Sequence, residues 1–152
     1  MTENNMPRRG FLQLLAMGFA WALITPINAL AAIWHKNAFE AAKLEEVTNY
    51  LNVDVEIVSQ DIIIKAPDQA ENGAIVQVEV ISNIADTASM AILVENNPTP
   101  LIAHFTFSHG AQPYIVTRIK MAETSDIKVL VKAGEQYFSN TKSVIVLENG
   151  CG

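Results

Sequence analysis

The sequence has one cysteine, three histidines and few basic residues. A single cysteine excludes an intramolecular disulfide and any multi-cysteine zinc or iron–sulfur centre. His35, His104 and His109 share no ligand spacing, so no metal site is expected. Lys and Arg number 10 against 16 Asp and Glu, a net charge of −6. Nucleic-acid binding draws its affinity from the opposite sign and is not expected. The length of 152 residues excludes a large multidomain enzyme. There is no internal repeat, low-complexity tract or second domain boundary.

Charge is also missing from one long stretch. Residues 11–33 contain none, and the stretch is apolar apart from Gln13, Gly18, Thr25, Pro26 and Asn28. It follows the pair Arg8-Arg9. Paired arginines before a moderately apolar run have the form of a twin-arginine export signal. Ala29-Leu30-Ala31 matches a small-x-small cleavage pattern, with the cut expected between Ala31 and Ala32. The alternative is a retained anchor, because the run is long enough to span a bilayer. Pro26 and Asn28 interrupt its second half and favour cleavage, so a stable anchor is not expected. Removing Glu3, Arg8 and Arg9 with residues 1–31 leaves 15 of the 16 acidic and 8 of the 10 basic side chains, net −7. The mature part reads as an ordinary soluble domain.

Residues 37–51 carry the helical pattern, with Phe39, Ala42, Leu44, Val47 and Leu51 at roughly helical spacing and Asn37 as cap. From residue 61 the pattern changes to short β-rich runs: 61–65, 74–81, 89–95, 101–107, 114–121, 126–131, 136–139 and 143–147. Asn72-Gly73, Asn97-Pro98 and Gly134 mark turns. Val76, Val78 and Val80 share a face opposite Gln77, Glu79 and Ile81. Leu101, Ala103, Phe105 and Phe107 should face one side, with Ile102, His104 and Thr106 on the other. Seven or eight strands in this length predict an immunoglobulin-like antiparallel β-sandwich with one N-terminal helix after the signal peptide. The expected organisation is a signal peptide at 1–31, helix and linker at 32–56, sandwich at 57–147 and tail at 148–152.

That tail holds the one thiol, Cys151, between Gly150 and Gly152 and after Asn149. It lies beyond the last expected strand, on a thin arm that should be mobile. Glu148 and the terminal carboxylate oppose thiolate formation. No adjacent histidine or basic residue can serve as the base that a self-sufficient cysteine enzyme needs. Position therefore favours passive covalent attachment over catalysis. The competing readings are an incidental thiol and one that forms an intermolecular disulfide. Glu123 and Asp126 flank a turn and read as solvated carboxylates.

Several segments together resemble the SoxY family, the sulfur-carrier subunits of periplasmic thiosulfate oxidation. They are Ala66-Pro67 with Glu71-Asn72-Gly73-Ala74, then Val94-Glu95-Asn96-Asn97-Pro98-Thr99-Pro100-Leu101, then Phe105-Thr106-Phe107. Arg118-Ile119-Lys120-Met121-Ala122-Glu123-Thr124 and the Gly150-Cys151-Gly152 end follow. The twin-arginine leader is similar too. The resemblance implies a heterodimer with a SoxZ-like subunit and a covalent sulfur adduct on Cys151. It implies transient contacts with a haem enzyme that loads thiosulfate and a hydrolase that releases sulfate. It implies no metal or organic cofactor in the carrier itself, and a periplasmic location.

The family usually ends Gly-Gly-Cys-Gly-Gly. Here Asn149 stands for the first glycine and only Gly152 follows Cys151, which shortens and stiffens the arm. Two rivals use the same residues differently. One is a persulfide or sulfane-sulfur donor outside complete thiosulfate oxidation. The other is a non-catalytic β-sandwich adaptor whose cysteine merely links subunits.

Overall fold

The computed structural model describes residues 36–108 and 110–148. Two short helices, α1 (Lys36–Glu40) and α2 (Leu44–Tyr50), precede nine strands. The strands are β1 (Glu56–Val58), β2 (Ile62–Lys65), β3 (Gln69–Asn72), β4 (Val76–Ser82) and β5 (Thr87–Val94). They continue with β6 (Leu101–Thr106), β7 (Tyr114–Ile119), β8 (Ser125–Ala133) and β9 (Gln136–Glu148). One sheet runs β1-β9-β8-β5-β6, with β3 also on β9; the other is β2-β4-β7. Their inner faces meet over Val76, Val78 and Val80 of β4, Met90, Ile92 and Val94 of β5, and Ile127, Val129 and Val131 of β8. The sandwich expected from the alternation is present, and the three valines of β4 share the buried face.

The helical segment differs from its expectation. One helix over 37–51 is replaced by two, because Lys43 is extended at φ −130° and ψ 145°. The reason lies in what each half buries. Ala38 and Ala41, then Val47 and Leu51, pack on Ala91, Leu93, Leu101 and Leu130 of the larger sheet. On one straight helix those two pairs would point about 130° apart. The break at Lys43 turns both toward the same sheet face. Asn52 then stops α2 in the left-handed region at φ 57°. Its N–H donates to the Asn49 carbonyl at 3.1 Å, and the Val53 N–H to the Thr48 carbonyl at 2.9 Å, closing the helix end.

Strand β6 also departs from simple alternation. Ile92 pairs with Ala103 but Leu93 pairs with Leu101, so Ile102 is the extra residue of a bulge and, unlike the expectation that set it beside His104 and Thr106, packs with Ala103 against the core between the sheets. The bulge puts Leu101 under the helices, while Ala103, Phe105 and Phe107 pack against the core between the sheets. Leu101 therefore does not share a face with Ala103 and the phenylalanines.

The two expected C-terminal runs form a single 13-residue strand. The β8–β9 turn pairs Ala133 with Gln136 and places Gly134 at φ 59°. A type II′ turn demands that geometry at its first central position. Strands β1 and β3 were not anticipated. Both pair with β9 in parallel, Glu56 opposite Tyr137 and Gln69 opposite Ile145.

Candidate functional site

Cys151, Asn149, Gly150 and Gly152 lie outside the described residues, as do Arg8, Arg9, Ala31, Ala32, His35 and His109. The structure does place the root from which residue 149 continues. Strand β9 outlasts β8, whose pairing ends at Ser125 opposite Val144. Other groups then complete the ladder on both edges of β9. On one edge, the Val146 N–H donates to Thr124 Oγ1 at 2.9 Å, and Thr124 Oγ1 donates to the Val146 carbonyl at 3.4 Å. This side chain stands in for a missing strand residue. On the other edge, the Ile145 N–H donates to the Asp68 carbonyl at 3.0 Å, and β3 follows to Asn72 opposite Glu148.

Gly73 closes the arrangement. Its N–H donates to the Glu148 carbonyl at 2.9 Å, and its own carbonyl accepts the Met121 N–H at 2.8 Å. Asn72 Oδ1 accepts the Ala74 N–H at 2.7 Å, which turns the chain out of β3. The sequence marked Asn72-Gly73 only as a turn. The turn is present, and it also ties β9 to the β7–β8 connection.

Two asparagines fix that connection in turn. Asn97 donates through Nδ2 to the Lys120 carbonyl and accepts the Ala122 N–H at Oδ1, both at 2.8 Å. Asn96 donates from its backbone to Ser125 Oγ and from Nδ2 to the Thr124 carbonyl, both at 3.0 Å. The β5–β6 turn, the β7–β8 connection and the end of β9 thus form one hydrogen-bonded cap. Asp68 forms an ion pair with Lys142 of β9. The Lys142 ammonium holds the Asp68 carboxyl below its ordinary range.

The chemistry offered by the cap is plain. Glu71, Glu95, Glu123, Asp126 and Glu148 are exposed, and none has a side-chain ion pair among the described residues. Arg118, near the end of β7, and Lys120, just after it, are exposed cations at this end. Glu123 and Asp126 are solvated, as their flanking of a turn suggested. No group of three His, Cys, Asp or Glu poised for a metal occurs among the described residues. His104 is half-buried on β6, opposite Ala91 on the helix-covered face. A cleft of about 410 Å³ lined by Ile84, Thr87, Phe107 and Pro113 lies at the other ends of β4 and β5. The length of β4 separates it from Glu148, about 23 Å for its 7 residues. Cys151 is three residues beyond Glu148, at most about 11 Å of extended chain, and falls short of it.

The family model described as "Sulfur oxidation protein SoxY" matches residues 48–151, a span that includes Cys151. The structure of the sulfur carrier protein SoxY from Chlorobium limicola f thiosulfatophilum is similar at a TM-score of 0.64 and 32% identity. The match covers 74% of this chain and 99% of that one.

The chain belongs to the SoxY family.

No curated protein sequence matches it. The SoxY likeness agrees with the sandwich seen here, which is immunoglobulin-like. Membership of a sulfur-oxidation family gives the cap its meaning. The SoxY match runs through Asp68, Gly73, Asn97 and Thr124 to the cysteine, so the residues that seat the end of β9 lie within the family region. Apart from the resemblance, the sequence gives Thr124 no role and Gly73 only a place in a turn. Their partners, Val146 and Glu148, are 22 and 75 residues away, and no local pattern announces them.

Proposed function

We propose that the chain is a sulfur carrier that holds thiosulfate-derived sulfur on Cys151 and presents it to visiting enzymes. The observation that carries this reading is the seating of β9 up to Glu148, three residues before the thiol, on both strand edges. A carrier needs a fixed origin for a short arm, and the cap supplies one. In this reading the thiol and thiosulfate lose two electrons to a haem enzyme, the thiol releases a proton, and Cys151–S–S–SO₃⁻ forms. Water then splits the terminal bond in a hydrolase, releasing sulfate and a proton and leaving Cys151–S–SH. The carrier is the platform for both steps, and the visiting enzymes supply the catalysis. Its stable partner is a SoxZ-like subunit. Its location is periplasmic, reached through the twin-arginine leader at Arg8-Arg9 with cleavage between Ala31 and Ala32.

The test is intact and tail-peptide mass spectrometry of protein purified after growth on thiosulfate, with and without reductant, beside Cys151→Ser. The expected result is a reducible sulfur adduct on Cys151 and loss of thiosulfate oxidation in the variant. A bare thiol with active partner enzymes, or a variant that still supports oxidation, would overturn the carrier reading in favour of an adaptor. An adduct of sulfane sulfur alone, with no thiosulfonate, would redirect it to a persulfide donor.

A further inference from the structure

The surface around the root of the arm carries more apolar side chain than a solvent-facing strand end requires. Ile145 and Leu147 of β9 are 53% and 59% exposed, and Ile75, two residues past Gly73, is 69% exposed. Leu147 adjoins Glu148, Ile145 shares its exposed face of β9 three residues before Glu148, and Ile75 is two residues past Gly73, whose N–H bonds the Glu148 carbonyl. The same cap carries the five exposed carboxylates without ion pairs, with Arg118 and Lys120 as exposed opposing charges on and just after β7.

Chain length decides what meets this surface. The thiol is tethered at most about 11 Å beyond Glu148. An enzyme that takes Cys151 into an enclosed site must bring the mouth of that site against the end of β9. The exposed apolar residues are then covered each time the arm is used. We propose that Ile75, Ile145 and Leu147 form a docking collar for the visiting enzyme, and that the enzyme's mouth presents an apolar lip bearing lysine or arginine. Its acidic rim steers a basic partner, and its apolar centre holds it. The collar rests on the carrier reading above. Burial of three modest side chains suits a partner that must leave again, since area of this size falls well below that of a permanent interface.

The experiment uses the mature carrier with its partner subunit and the haem enzyme that loads thiosulfate. Loading of Cys151 is followed by intact mass across a range of carrier concentrations and ionic strengths. Two exposed-site variants are compared with wild type: Ile145→Ser with Leu147→Ser, and Glu123→Lys. Alkylation of Cys151 by iodoacetamide needs no docking and serves as the control.

The serine pair is expected to lower kcat/KM about tenfold through KM, with kcat and alkylation unchanged. Glu123→Lys is expected to lower kcat/KM several-fold at low salt, a gap that closes as salt rises. If wild type is loaded and both variants are loaded equally well, the collar is wrong and the carrier reading stands. If wild type receives no adduct, the carrier reading fails and the collar with it. If the serine pair instead abolishes binding of the partner subunit, or dissolves a homodimer of this chain, the surface is a permanent interface and the collar is wrong.

Discussion

The backbone of Gly73 links two elements: it donates to Glu148 at the end of β9 and accepts from Met121 after β7. Glu148 is the last described residue before the arm. One buried glycine peptide thus joins the root of the arm to the smaller sheet. The fold's long-range pairing converges on the place where the thiol-bearing segment begins.

Thr124→Val keeps the shape of the side chain but deletes its hydroxyl. Val146 loses both hydrogen bonds on that edge, and its buried N–H is left without a partner. A loss of about 1–3 kcal/mol is expected, read from the urea midpoint at unchanged m-value. Amide exchange at Val146 should accelerate more than exchange at Val129 in the middle of β8. Equal acceleration at both sites would show that Thr124 stabilises the fold generally and does not seat the end of β9.

Leu130→Ala tests why the helices stay on the sheet. Leu130 is 2% exposed and packs with Leu93 and Leu101 beneath Ala38 and Val47. The expected cost is about 2–5 kcal/mol, with protease cleavage in 36–53 appearing before cleavage in the sandwich. Simultaneous cleavage of both would mean that the helices and sheets unfold as one unit.

The Asp68–Lys142 pair makes a pH prediction. The nearby ammonium, by hydrogen bond and then by charge, favours the ionised carboxylate and lowers its pKa below the ordinary 3.8. A group depressed in the folded state adds stability that is complete above the ordinary value and is lost as pH falls through the folded one. The window therefore lies in acid, below about pH 4. The contribution is small because Asp68 is exposed. Carboxyl NMR should place the Asp68 midpoint low in wild type and raise it in Lys142→Met. Identical midpoints in the two proteins would remove the pair from the account.

Arg8→Lys with Arg9→Lys addresses localisation. A twin-arginine route requires the guanidinium pair, so the variant should accumulate in the cytoplasm, seen by fractionation. The mature N-terminus of the exported wild type should begin at Ala32. Normal export of the lysine variant would refute the route, and a retained residue 1–31 would refute the cleavage.

The residues themselves determined the strand content. Where one face of a strand is buried and the other wet, period-two alternation is forced, and Val76, Val78 and Val80 display it. Asn72-Gly73 and Gly134 were legible because each turn needs a particular backbone geometry. The tail cysteine was legible because only one nucleophile of its kind exists in the chain. Tertiary structure decided the rest. Parallel pairing of β1 and β3 with β9 joins residues about 80 positions apart, and runs of three and four residues are too short to carry a signal of it. The helix broke at Lys43 because two apolar pairs had to meet one flat sheet. Leu101 changed faces because a bulge reset the alternation. Thr124, Asp68 and Gly73 became the seat of β9 only when the chain brought them there, since a hydrogen-bond partner is chosen by proximity in space.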